Sequence, residues 1–275
     1  MRIKKWIAAA ALGALALCLP FDTASAGKLD AYRNMLVAHN YTISYENITP
    51  PERIHNRDVV DMTYSFGRIP TPQNYAQKSY SGMIVAQGEK RYVEVNYGGE
   101  SRISLRQADK TFSFKGIAKK DKVEYKGMNG GKEVTALKFH PENELLYGES
   151  FGTSEVSRLL GAMLPASSIP AGLPVYQYVG AGNLGNGLSY EDYRASSSAG
   201  LEAIRYYFEG TKLVRIAAAS YDRDEKGNLV GHKCILKIKD FSAVPDASKL
   251  ALPENLKVVD HSQQDKGKKK HGFGF

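Results

Sequence analysis

Short runs in which apolar and polar residues alternate recur about every ten residues along most of this chain. Residues 80–86 and 91–97 form one pair of such runs, and residues 201–208 and 212–220 form another. Glycine and polar residues separate the runs. Period-two alternation is typical of β-strands, and the regular spacing favours an antiparallel meander over alternating strands and helices. This pattern constrains the fold more than any other feature of the sequence.

Two segments depart from the alternation and predict helices. Residues 29–36 place apolar side chains at 29, 32 and 36 on one helical face, and Asn40 is the expected stop. Residues 154–163 carry a second apolar face, with Thr153 or Ser154 as the expected N-cap.

The predicted fold class is therefore α+β, with a large curled antiparallel sheet of about 10–12 strands, since a sheet this wide must curl or be covered. We expect a half-open β-barrel in which the N-terminal helix and the central helix form a lid over one concave face. Each strand would turn one set of side chains toward that face, so its lining should be apolar.

The first 26 residues have the three parts of a secretory signal. A positive start is followed by an apolar run from Trp6 to Leu19 and by Ala24-Ser25-Ala26, small residues that suit a signal peptidase. Cleavage near Ala26 predicts a periplasmic or secreted protein. An uncleaved anchor and a lipoprotein modified at Cys18 are the alternatives. The expected organisation is a signal peptide at 1–26, one half-barrel domain at 27–259 and a basic disordered tail at 260–275.

Neither the cysteine content nor the charge distribution points to a catalytic site. Cys234 is the one cysteine left after cleavage, and its alternating segment favours a small buried residue over a reactive thiol. The chain carries a formal net charge of +8, and much of its visible clustering is in the tail at Lys266, Lys268, Lys269 and Lys270. A solvated end is favoured there, with peripheral contact to anionic lipid or polysaccharide as the alternative. Nucleic acid is not an expected partner.

The order of helix, meander, helix, meander resembles a known family. Residues 206–214, residues 237–241 and residues 246–253 also have the sequence texture of its closing part. The chain resembles the LolA/LolB-like periplasmic lipoprotein-carrier superfamily. That resemblance implies an unclosed β-barrel with a helical lid over a hydrophobic cavity for acyl chains. We expect a non-enzymatic envelope protein, without a cofactor, that binds or shuttles a lipidic ligand or a lipoprotein, or contacts another envelope component.

A serine hydrolase is the alternative from another functional class. Residues 148–152 read Gly-Glu-Ser-Phe-Gly, in which a tight turn before a helix would expose the Ser150 hydroxyl. Its acid and base partners would lie downstream, where the candidates are Asp222 or Asp246 and His232 or His261. Such hydrolases need parallel strands with crossover helices. The antiparallel pattern therefore favours a capping role for Ser150.

Three further patterns carry little functional weight. Residues 180–185 match Gly-x-Gly-x-x-Gly, but we expect a loop because no helix follows. Residues 222–227 begin like a calcium loop but place Lys226 at a ligand position, which favours a hairpin tip. The six histidines lack zinc-ligand spacing, so no metal site is predicted.

Carboxylate and tyrosine side chains give two further expectations. Glu191 and Asp192 are adjacent on a predicted strand, so they should face opposite sides of the sheet instead of forming an acid–base pair. The seventeen tyrosines favour ordinary cross-strand pairing, with a sugar- or lipid-binding surface as the alternative.

Overall fold

The structure is a computed structural model that describes residues 27–48, 80–139, 159–165, 175–197, 200–223 and 229–262. Its helix α1 spans Leu29–Val37, residues 159–161 are helical, and a 3-10 helix spans Ala247–Leu250. The strands are β1 (Asn40–Asn47), β2 (Ser81–Gln87), β3 (Lys90–Asn96), β4 (Glu100–Gln107), β5 (Lys110–Ala118), β6 (Val123–Gly127), β7 (Glu133–Lys138), β8 (Gln177–Gly185), β9 (Leu188–Ser197), β10 (Gly200–Glu209), β11 (Lys212–Arg223), β12 (Leu229–Ser242) and β13 (Lys257–Asp260).

All thirteen strands belong to one sheet. Its order is β13-β7-β5-β4-β3-β2-β1-β12-β11-β10-β9-β8, with β6 beside β5. The first half of the chain builds outward from β1, and the second half returns from the other end to place β12 against β1. Every described strand pair is antiparallel except β13 with β7.

The expected large antiparallel sheet with few helices is confirmed. It is mainly β, with thirteen strands where about ten to twelve were expected, and it is neither closed nor strongly curled. The first residues of the predicted central helix, 154–158, lie outside the described residues.

Helix α1 forms where the sequence predicts it. Leu29, Tyr32 and Leu36 are its buried residues. The helix ends at Val37, before the expected stop at residue 40, because His39 adopts a positive φ of 50° that turns the chain directly into β1.

The sheet buries different faces along its width. We call the side on which α1 packs the helix face and the other side the opposite face. Ile43, Ile84 and Val93 are register partners in the helix-face core. Their neighbours Val85 and Tyr92 are partners in a second core on the opposite face. The core therefore changes sides at β2 and β3, where both faces are buried.

A segment from 243 to 256 covers the opposite face of the first half of the sheet. The Gln107 side chain donates a hydrogen bond to the Leu250 carbonyl at 2.9 Å, and the Asn255 side chain donates to the Tyr125 carbonyl at 2.8 Å. Leu250 and Leu256 are buried in this core. We call residues 243–256 the crossing segment. The crossing segment includes a 3-10 helix and leads into the parallel strand β13.

The expected loop at 180–185 is wrong, because these residues belong to β8. A Cβ placed on Gly182 would lie 2.6 Å from the Tyr190 hydroxyl, so the glycine lets this cross-strand tyrosine lie against β8. Asn186 and Gly187 have φ values of 51° and 77°, which closes the β8–β9 hairpin. No helix opens after the glycines, so the geometry of a dinucleotide-binding turn is not present here.

Candidate functional site

The apolar helix face of β1 and β9–β12 is the candidate functional site. Its buried strand residues are Tyr41, Ile43, Tyr45, Tyr193, Ile204, Tyr206, Phe208, Leu213, Ile216, Ala218, Cys234, Leu236 and Ile238. Among the described residues, helix α1 and residues 159–164 lie over it, and together we call them the cover. The cover contributes Leu29, Tyr32, Leu36, Leu159, Leu160, Ala162, Met163 and Leu164 to the same core.

Polar contacts hold α1 against the sheet at two places. The Tyr32 hydroxyl donates to the Thr211 carbonyl at 3.0 Å and accepts from the Leu213 amide at 2.7 Å. At the start of the helix, the Lys28 amide donates to a carboxylate oxygen of Glu191 at 2.7 Å. These contacts fix both the position and the rotation of α1, because each one satisfies a group that the core would otherwise leave unpaired.

Among the described residues, two hydrogen bonds from side chains to backbone carbonyls hold the 159–164 segment. The buried Tyr206 hydroxyl donates to the Leu159 carbonyl at 3.2 Å. The Arg33 side chain of α1 donates through Nε to the Met163 carbonyl at 2.7 Å and lies over the Tyr193 ring. Burial raises the pKa of the Tyr193 hydroxyl above its ordinary value, with the Arg33 charge acting in the other direction and Glu191 adding to the rise.

Tyr45 places a polar group deep in this apolar face. Its hydroxyl is buried without a hydrogen-bond partner in the described part of the chain. Burial raises the pKa of Tyr45, and the neighbouring Tyr80, Tyr97 and Cys234 raise it further. The hydroxyl therefore stays protonated and can donate a hydrogen bond to any polar group that reaches it.

An ionic cluster lies on the opposite face of the same strands. The Arg205 guanidinium bonds both oxygens of Asp192 at 2.6 and 2.7 Å and stacks on the Tyr190 ring at 3.7 Å. Glu191, the residue before Asp192, points to the helix face, as its contact with Lys28 requires. The prediction that the two carboxylates face opposite sides is confirmed.

The tyrosines are used largely as paired rings inside the structure. Tyr178, Tyr193 and Tyr206 form an edge-to-face series across β8, β9 and β10, with ring centroids 5.6 and 5.5 Å apart. This arrangement agrees with the favoured cross-strand interpretation. Cys234 is buried, so the expectation that it is a core residue is also confirmed.

The hydrolase candidates are only partly described. Ser150, its Gly-x-Ser-x-Gly stretch and the N-cap candidates at 153 and 154 lie outside the described residues. Asp246 accepts from the Ser248 amide and caps the 3-10 helix, whereas the backbone amide of His261 donates to Ala136 beyond β13. The structure thus gives Asp246 a local structural task.

Asp222 lies opposite Val230 and His232 lies opposite Ser220 in the β11–β12 pair, so the two residues are not register partners. The tail lysines 266, 268, 269 and 270 and the signal at 1–26 lie outside the described residues. The hydrolase alternative and the anionic-surface contact therefore stay predictions. Labelling with a fluorophosphonate that is lost in Ser150→Ala would establish the first.

The described residues contain neither a metal-binding cluster nor a helix that could span a membrane. No group of three or more His, Cys, Asp or Glu side chains there is placed to hold a metal ion. No helix in that part of the chain has the length and apolar character needed to cross a bilayer.

Sequence reasoning did not single out Tyr45 or the pairing of Arg205 with Asp192. The signal for Arg205 was weak, because an arginine inside an alternating strand is ordinary until its partner is known. Comparison of the chain with protein-family models and with curated proteins gave no match.

Proposed function

We propose that this protein is an exported, non-enzymatic envelope protein that binds a lipidic ligand between its cover and the helix face of β1 and β9–β12. Cleavage near Ala26 and a LolA-like carrier role are part of the proposal. The single observation that carries it is a broad apolar sheet face whose cover takes no part in strand pairing.

The construction of the cover supports reversible binding. Two described hydrogen bonds, Tyr206–Leu159 and Arg33–Met163, hold residues 159–164, and no described strand pair includes this segment. Displacement of these residues would therefore leave the described strand pairs intact. An acyl chain that takes their place would replace one set of apolar contacts with another. The exchange therefore costs little hydrophobic free energy.

Polar groups at this face suit the head of such a ligand. The Tyr206 hydroxyl would lose its hydrogen bond to the Leu159 carbonyl when the cover moves, and the Tyr45 hydroxyl has no described partner to lose. Both can donate to a carbonyl or ester oxygen. An amphipathic ligand thus finds donors within an otherwise apolar surface, which is the usual composition of small-molecule sites.

The half-open barrel with a helical lid stays a prediction. The described sheet is open and not strongly curled, so the barrel geometry would have to belong to the ligand-bound protein. A structure with an acyl ligand would test this part of the proposal directly.

Binding of dansyl-undecanoic acid to the chain that begins at Gly27 tests the function. Ala218 and Ala217 are consecutive buried residues of β11 on opposite faces of the sheet. Ala218→Leu fills the helix face and should weaken binding about tenfold or more, whereas Ala217→Leu should bind like the parent. Both changes overpack a core and should lower the free energy of unfolding by a similar amount, about 1–3 kcal/mol. A difference in binding between the two variants would then not come from a difference in stability.

The results distinguish binding at the helix face from binding elsewhere and from no binding at all. Equal binding by the two variants would place the ligand elsewhere on the protein. No binding by the parent, together with an absence of lipid in native mass spectra of protein purified from the envelope, would overturn the proposed function.

A further inference from the structure

Glu191 is a carboxylate buried on the helix face at the start of α1. Only 5% of the surface of Glu191 is exposed. One oxygen accepts the Lys28 amide at 2.7 Å, and the other accepts the Tyr193 hydroxyl at 3.1 Å. Among the described residues, no lysine, arginine or histidine side chain forms an ion pair with it. A buried carboxylate without a counter-ion is costly, which makes this arrangement incomplete.

Gly27 lies directly against this carboxylate. A Cβ placed on Gly27 would be 3.0 Å from Oε2 and 3.1 Å from Oε1 of Glu191. Any side chain at this position would therefore press on both oxygens, and glycine leaves the approach open. The Gly27 nitrogen is bonded to the same Cα, so it is within the range in which opposite charges interact strongly, about 4–6 Å.

The predicted processing site falls at this same residue. Hydrolysis of the Ala26–Gly27 peptide bond by a signal peptidase, with water as the second reactant, leaves a carboxylate on Ala26 and a primary amine on Gly27. That amine is protonated at neutral pH. Before cleavage the same nitrogen is an uncharged amide. Processing therefore creates a positive charge beside a carboxylate that has no described cationic partner.

We propose that Glu191 is the receptor for the mature amino terminus: once Ala26 is removed, the Gly27 ammonium pairs with the Glu191 carboxylate and fixes α1 over the apolar face. The inference rests on the cleavage that the proposed function includes. The N-terminal end of the helix adds its own partial positive charge to the attraction for the same carboxylate. The precursor lacks this ion pair, so its cover is held less firmly until export is complete.

The consequence for the cover is direct. Tyr193 donates to Glu191 and also lies under Arg33, which holds the Met163 carbonyl. An ammonium at Glu191 thus stabilises the end of a connected set of contacts that includes both pieces of the cover. Cleavage would therefore stabilise the cover in its position over the ligand face and would also raise the stability of the fold.

Four purified chains test the proposal without any ligand. Two begin at Gly27 or at Ala26, and the other two carry Glu191→Gln in the same two backgrounds. At pH 7 the Gly27 chain should have a folding equilibrium constant about tenfold to a hundredfold higher than the Ala26 chain. In the Glu191→Gln background, the chains that begin at Gly27 and at Ala26 should have equal folding equilibrium constants. An advantage that is absent, or that persists in Glu191→Gln, would overturn the ion pair.

The pH dependence gives an independent check. The pair raises the pKa of the α-amino group in the folded state, so the advantage is full below the ordinary value of about 7.7–8.0. It is lost as the pH rises through the higher folded value. An advantage unchanged at pH 11 would mean that the extra residue acts by sterics alone.

A direct titration covers the case in which Glu191→Gln fails to fold. Reductive methylation with ¹³C-formaldehyde labels the Gly27 amine and keeps its charge, and NMR then follows its titration. The folded chain should titrate at a higher pH than the urea-unfolded chain, and identical midpoints would overturn the proposal. Mass spectrometry of the exported protein fixes the real start, so a different cleavage site is told apart from a failure of lipid binding.

Discussion

At the residue scale, tyrosines on one strand use the space left by glycines on the next. Gly82 is the register partner of Tyr45, and a Cβ there would lie 2.3 Å from the Tyr45 hydroxyl and 2.8 Å from the Glu94 carbonyl. The Gly182–Tyr190 pair has the same construction. These glycines do not mark turns. They allow a large ring to lie flat on the neighbouring backbone.

Gly82→Ala should therefore destabilise the protein by about 1–3 kcal/mol, because the added methyl group forces Tyr45 away from its buried position. Gly180→Ala is the matched control, since Gly180 is also in a strand and nothing lies within 4 Å of its Cβ position. Urea unfolding measures both. Equal free energies of unfolding for the two variants would contradict the packing role of Gly82.

At the element scale, adjacent strands are joined by more than their backbone ladders. β9 and β10 share the ion pair of Asp192 with Arg205, whose side chains are 15% and 10% exposed. β13 joins the sheet in parallel at its edge, beside β7, and is tied to β5 through Lys110 and Asp260. The first contact is largely buried and the second is at the surface, so they should behave differently when disrupted.

Removal of one partner of the buried pair should be costly. Asp192→Leu removes the carboxylate that bonds the largely buried Arg205 guanidinium at two points and should lower the free energy of unfolding by about 3 kcal/mol. The double variant Asp192→Leu, Arg205→Met should recover most of that loss, because no charge then remains. Glu46→Ala, which breaks the exposed pair with Lys239, is the control and should change stability by less than about 1 kcal/mol.

Urea unfolding of the single and double variants gives the coupling between the two side chains. Additive losses in the double variant would mean that Asp192 and Arg205 contribute through their separate packing instead of through the pair.

The pairing of β13 should weaken in acid. The Lys110 ammonium donates to Asp260 at 2.5 Å and, with Ser262, holds the pKa of that carboxyl well below its usual range. A lowered folded pKa stabilises the pairing above the ordinary value of a carboxyl group, and that contribution is lost as the pH falls through the folded value. Amide exchange across residues 257–260 should lose protection as the pH falls below about 4, the ordinary value of a carboxyl group.

Asp260→Asn removes the titrating group and serves as the control. Its protection should be lower than that of the parent near neutral pH and should change less as the solution is acidified. The same acid dependence in both chains would assign the effect to other carboxylates.

At the scale of the whole molecule, one sheet supports two cores. The helix-face core and the opposite-face core meet at β2, where Ile84 enters the first and Val85 the second. Because β2 contributes a residue to each core, displacement of this strand would expose both cores to solvent. The covers differ as well, since α1 and residues 159–164 cover one face and the crossing segment covers the other.

The two cores should therefore unfold together. The chain's single tryptophan is Trp6 in the predicted signal, so the chain from Gly27 accepts single reporters. Phe208→Trp reports on the helix face and Phe114→Trp on the opposite face. Leu250→Ala in the crossing segment should lower both unfolding midpoints by the same amount, with a loss of about 2–5 kcal/mol. Separate transitions at the two reporters would show that the cores are independent.

Local patterns were enough to predict most of the elements. The apolar spacing at 29, 32 and 36 predicted α1, and alternation predicted the pairs β2 with β3 and β10 with β11. They failed at residues 180–185, because the Gly-rich stretch has the composition of a loop. What makes it a strand is Tyr190, a residue of the neighbouring strand that the glycines accommodate.

The sequence by itself determined that most of this chain alternates in runs that form antiparallel hairpins and that one amphipathic helix precedes them, because those properties depend on residues close together in the chain. The tertiary structure alone decided that β12 returns to β1, that the core changes faces at β2 and that Glu191 meets Gly27. Each of these joins residues far apart in sequence, and local spacing carries no information about which distant strand or charge will be the partner.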